Sequence, residues 1–143
     1  METKLDFVYN KPVWKAWLGY RVALFLELGG KNPPKFATDY EKGDYTIGLD
    51  RCDWTIYRSG EVIADSGSEN FEKMAKDVKV LEGLSIQEIK YLGDQKEWLI
   101  QFSDGTQLNI EFFPTGSGFT ISKGEETFIL NSTGEIQLEA QER

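Results

Sequence analysis

Twenty-four carboxylates and not one histidine define the chemistry open to this 143-residue chain. Histidine is the side chain best suited to moving protons near neutrality and the commonest metal ligand, so Ser-His-Asp and Cys-His catalysis fall away. A single cysteine, Cys52, completes neither a zinc site nor an internal disulfide. Carboxylates alone can act as acid and base, as in glycoside hydrolysis, and Asp50, Asp53, Glu61 and Asp65 lie close in sequence. In so acidic a chain the same cluster is what turns and solvated faces produce, and we read the sequence as that of a non-enzyme. Asp50-Arg51-Cys52-Asp53 lacks the alternating ligands and turn glycine of an EF-hand. Gly29-Gly30-Lys31 runs into Asn-Pro-Pro and Gly116-Ser117-Gly118 into a strand, so neither offers helix N-terminal amides to a phosphate. No metal and no cofactor is expected.

What remains is binding chemistry. The segment Lys31 to Tyr45 holds two prolines, a run of charges and three aromatics, a loop length that in a small domain often carries function. In it Phe36, Tyr40 and Tyr45 interleave with Asp39, Glu41 and Asp44, the makings of a surface for a cationic partner, though packing onto the domain itself would use the same residues. The expected contact set is Asp39, Tyr40, Glu41 and Asp44, followed by Glu125 and Glu126 in a second turn. Charge points the same way. The net is −8, of which residues 1–67 carry −1 and residues 68–143 carry −7. An acidic surface repels phosphate backbones and attracts basic proteins, while also serving plain solubility. Trp54 and Trp98 fall in strand patterns and are expected in the core, whereas Trp14 and Trp17 could cover a sheet or meet a partner.

These residues need a frame, and the pattern is mainly β. Strands are expected at Val22 to Leu28, Tyr45 to Leu49, Trp54 to Tyr57 and Glu61 to Ala64. They resume at Ser85 to Tyr91, Trp98 to Phe102, Gln107 to Phe112, Gly118 to Ser122 and Thr127 to Asn131, with an edge strand at Ile136 to Leu138. Ser59-Gly60 and Asp104-Gly105 are tight turns. Between the two groups, Phe71, Met74, Ala75 and Val78 form one apolar stripe, predicting a helix over 68–80 started by Ser66 with Glu69 or by Ser68. A short helix or turn is expected from Pro12 to Trp17. Trp54-Thr55-Ile56 through Ser66 echoes Phe119-Thr120-Ile121 through Ser132, and Gly19 to Val22 echoes Gly83 to Ile86. We therefore expect one α+β, mainly β domain (1–143): antiparallel sheets from two diverged β-repeats, 14–67 and 81–138, joined by the helix. No apolar run reaches the length of a membrane span and no secretory signal is visible, so a cytoplasmic protein is expected.

The stretch from Leu84 to Phe112, with Leu-Ile-Gln-Phe-Ser-Asp-Gly before Leu108-Asn109-Ile110, resembles a pattern that recurs in immunity proteins of bacterial polymorphic-toxin and contact-dependent growth inhibition systems. It covers less than half of the chain and assigns no binding residues. The resemblance implies a stoichiometric inhibitor that neutralises a cationic toxin domain, in particular a nuclease, without chemistry of its own. The alternative expectation is a non-catalytic ligand-binding or scaffolding β-domain.

Overall fold

The computed structural model describes residues 5–32, 42–113 and 118–140. Within them, short stretches of alternating apolar and polar residues form eleven strands: β1 (Val13–Leu18), β2 (Leu24–Asn32), β3 (Lys42–Leu49), β4 (Cys52–Arg58), β5 (Glu61–Asp65), β6 (Ile86–Leu92), β7 (Glu97–Phe102), β8 (Gln107–Phe112), β9 (Phe119–Lys123), β10 (Glu126–Leu130) and β11 (Ile136–Ala140). They build a six-stranded sheet, β1-β2-β3-β9-β10-β11, and a five-stranded sheet, β5-β4-β8-β7-β6. Every pairing is antiparallel. Alternate residues such as Leu24, Leu26, Ile47 and Phe119 from one sheet meet Trp54, Ile56, Ile100 and Leu108 from the other in a single core. Burying each such side chain contributes about 1.5–3 kcal/mol, so this shared core is the main force joining the sheets. Trp54 and Trp98 are buried in it as expected, and their indole N–H groups donate to the Val22 and Asn131 carbonyls at 3.0 and 2.8 Å. No helix among the described residues is long and apolar enough to cross a membrane.

The chain traces one path twice and exchanges its ends between the sheets. Three strands run as a meander in one sheet (β1-β2-β3, then β6-β7-β8), and the following hairpin joins the other sheet (β4-β5, then β9-β10). Equivalence extends to single residues. Both meanders carry a bulge at the same place, between Val13 and Lys15 and between Ile86 and Glu88. Pro12 and Ser85, related by a shift of 73 residues, bridge each other; Asn10 N–H donates to the Ile86 carbonyl, and Gly83 N–H donates to the Val13 carbonyl. Asn10 and Gly83 both have positive φ, 66° and 90°. Where the bulges free a backbone N–H, Ala16 donates to the Glu82 carboxylate and Ile89 to the Tyr9 hydroxyl, each at 3.0 Å.

Several local expectations change. Pro12 to Trp17 is not helical: Val13 and Ala16 face the core and Val13–Leu18 is strand, because pairing with β2 satisfies the backbone. The helix α1 is Phe71–Asp77, continued by a 3₁₀ turn at Val78–Leu81. Its N-cap is Asn70, whose side chain accepts from Lys73 N–H at 3.0 Å, rather than Ser66 or Ser68. Met74, Val78 and Leu81 are buried, while Phe71 is 49 % exposed. Gly19 to Val22 is the turn between β1 and β2, whereas Gly83 to Ile86 leads into β6, so that pair of echoes occupies different places. Trp54 and Phe119 do stand in equivalent strands, β4 and β9.

Candidate functional site

Along β2 the residues Leu24, Leu26 and Leu28 point into the core, which sends Phe25 and Glu27 to the outer face of the six-stranded sheet. An acidic side chain there would ordinarily be solvated, yet Glu27 is fully buried. Three donors surround it. Trp17 Nε1 donates to one carboxylate oxygen at 3.0 Å, and Gly43 N–H and the Thr46 hydroxyl donate to the other at 3.0 and 2.6 Å. Charge-assisted bonds of this kind are roughly twice as strong as neutral ones, enough to hold a carboxylate out of water. They also tie together β1, β2 and β3. Gly43 can approach because it has no side chain: a Cβ there would lie 2.3 Å from the Leu28 carbonyl oxygen.

Around this clamp lies an open groove of about 280 Å³. One wall is Trp17 stacked on Phe25, centroids 4.5 Å apart and planes at 22°, with the Lys15 ammonium 5.5 Å from the indole centroid. The floor is Gly48, paired with Phe25 on one side and Thr120 on the other. A Cβ at Gly48 would stand 3.2 Å from both, so the hollow depends on glycine. Thr46, Thr120 and Ser122 add hydroxyls, and Lys42, Asp44 and Gly124 close one end.

Asp44 is the expected contact residue that lines this groove. Its carboxylate accepts from Gly30 N–H at 2.8 Å and from the Asn32 side chain at 3.2 Å. The Gly30 bond first, then Asn32, holds its pKa below the usual carboxylate range, so it remains ionised at neutral pH. Because β3 and β9 pair with Tyr45 opposite Lys123, the turn holding Glu125 and the start of β10 at Glu126 come to the same end of the sheet as Asp44. Both glutamates are exposed. Segments about eighty residues apart in sequence thus meet. Asp39, Tyr40 and Glu41 lie outside the described residues. The ends of the segment Lys31 to Tyr45 belong to strands rather than to a loop, since β2 extends to Asn32 and β3 starts at Lys42.

Glu27 escaped the sequence reading because it sits inside an apolar run; the signal was that it is the one charge in it. Thr46 and Gly48 carry no signal of their own. The four clustered acids do not converge: Asp53 and Asp65 share the outer face of the five-stranded sheet, while Asp50 and Glu61 stand exposed at strand ends. On that same face Asp53, Glu111 and Glu97 are direct cross-strand neighbours. Burial first and Glu111 second push the Glu97 carboxyl above its ordinary value. Burial, then Asp50 and Asp53, push the Cys52 thiol up to about 12, which keeps it protonated and unreactive. Among the described residues no three carboxylate or thiol groups are gathered as a metal site requires. The chain matches no family model, and the comparisons with curated proteins and with solved structures find no similar protein.

Proposed function

We propose that this chain is a non-catalytic, cytoplasmic immunity protein that binds and neutralises a cationic toxin domain. The observation that carries the reading is ionised Asp44 at the end of a groove walled by stacked aromatics, with exposed Glu125 and Glu126 at the same end of the sheet. A basic side chain from a partner finds there what binding hot spots use: aromatic surface, a fixed carboxylate, and a hollow from which water can be displaced. Negative potential over the rest of the surface speeds the encounter with a basic domain. A small polar ligand would use the hydroxyls instead of the acidic mouth, and the two readings diverge under mutation.

The test is rescue. A toxin domain encoded beside the gene is expressed with the chain, and growth is compared for wild type, Asp44→Lys and Glu126→Lys. Protection that falls with both reversals, together with association at least about tenfold slower at low salt, supports the reading. Protection unaffected by either, or no binding between the purified proteins, refutes it.

A further inference from the structure

The two halves differ at one edge. β10 pairs with β9 on one side and with β11 on the other. β5 is its equivalent in the first half: it pairs with β4, and among the described residues no strand lies on its far side. The chain turns instead into α1, which packs beside β5. Two large apolar side chains are left exposed here, Val62 at 53 % and Phe71 at 49 %.

What β11 gives to β10 indicates what β5 lacks. Ile136 and Leu138 lie opposite Leu130 and Phe128, Ile136 packing against the core and Leu138 54 % exposed, while Gln137 and Glu139 alternate to the other face. In the first half the position of Phe128 is taken by Ala64, buried but small. The position of Ile129 is taken by Asp65, on the outer face next to Thr55, with Asp53 two residues along the neighbouring strand. A strand added here meets Ala64 on the inward side and the carboxylate of Asp65 on the outward side. A second copy of this chain is disfavoured in the register that pairs the two β5 strands fully, about Ile63, because it would set Glu61 against Asp65 twice, and like charges directly opposite are destabilising.

We propose that the free edge of β5 receives an antiparallel strand from a partner protein, with apolar residues facing inward and lysine or arginine facing outward. The sign of the partner's charge agrees with the immunity function, but the site is separate from the groove. Backbone hydrogen bonds would supply affinity, and the alternation of side chains would supply selection.

The probe is the hexapeptide acetyl-Val-Lys-Val-Lys-Val-Lys-amide, titrated into the ¹⁵N-labelled full chain. Saturable amide shifts and slowed hydrogen exchange at Val62, Ile63 and Ala64 are expected. Replacing lysine by glutamate in the peptide should weaken binding roughly tenfold, and methylating alternate backbone nitrogens should abolish it. Val62→Arg, at an exposed position, should weaken it without unfolding the chain. Equal binding of the N-methylated peptide, shifts confined to Asp53, Glu97 and Glu111, or no shift in β5 each overturn the proposal. Toxin protection lost on Asp44→Lys but kept on Val62→Arg, with β5 silent, would sink this inference alone; the reverse pattern would sink the groove.

Discussion

Replacing Glu27 by glutamine is the sharpest probe of the clamp under the groove, since it keeps shape and removes charge. Three donors converge on the carboxylate. A glutamine oxygen can stay with Gly43 and Thr46, but its NH₂ then faces the Trp17 N–H, donor against donor. One charge-assisted bond is lost and two become neutral, at about 1.5–3 kcal/mol for the first and about 0.5–1 for each of the others. Relief from burying a charge offsets some of this. The net loss should be about 2–3 kcal/mol, or about 6–9 °C in Tm for a chain of this length. Thr46→Val, which removes one charge-assisted donor and leaves the carboxylate two, should cost about 1.5–3 kcal/mol.

Urea unfolding followed by far-UV circular dichroism measures these losses, and a cycle with Trp17→Phe isolates the indole. In the double variant the glutamine NH₂ no longer meets a donor. The two changes together should therefore cost less than their sum, by about 1 kcal/mol. A Glu27→Gln variant within about 0.5 kcal/mol of wild type, a difference no larger than an ordinary surface change, would refute the clamp. So would strictly additive costs.

Other consequences follow from the same geometry. Because its pKa is raised in the fold, Glu97 opposes folding as pH climbs through that pKa and does nothing below its unfolded value; Glu97→Gln should raise Tm at pH 7, and the gain should vanish in acid. Iodoacetamide at pH 8 should modify Cys52 at least about a hundredfold faster in urea than in the native protein, and rapid native reaction would show the thiol is neither buried nor protonated. Gly48→Asn should fill the groove at a cost of about 1–3 kcal/mol as the Phe25 ring shifts, leaving circular dichroism native while removing toxin protection. Retained protection in a folded variant would show that the hollow takes no role in binding.

The strands were legible where alternation was clean. Gln107–Phe112 is read to the residue, and Ile136 onward is the edge strand expected. Pro12 to Trp17 was misread because a proline suits a helix start, and only the register with β2 shows that Val13 and Ala16 face inward. The helix stripe was sound at Met74 and Val78 but began too early, since Asn70 out-competed two serines as cap. Long-range equivalence was the hardest to see. Tyr9 and Glu82, Asn10 and Gly83, and Pro12 and Ser85 occupy matching positions with unlike chemistry. A hydroxyl and a carboxylate satisfy the same freed N–H, and asparagine and glycine both tolerate positive φ, so no residue identity survives to be aligned.

That equivalence also shows what the fold does not require. Applying it to the groove puts Lys90 where Trp17 stands, Leu99 for Phe25, Gln101 for Glu27, Asn109 for Gly48, Thr55 for Thr120 and Tyr57 for Ser122. The five-stranded sheet has the same pairing and bulge with none of the clamp, the stacked wall or the glycine floor. A central glycine weakens a strand relative to the asparagine at the matching position. The first half carries it beside a carboxylate whose three donors have no counterpart in the second half. The pairing and the bulge persist without these features, so folding into this frame does not dictate them, and their concentration at one place is what the proposed binding role of the groove requires.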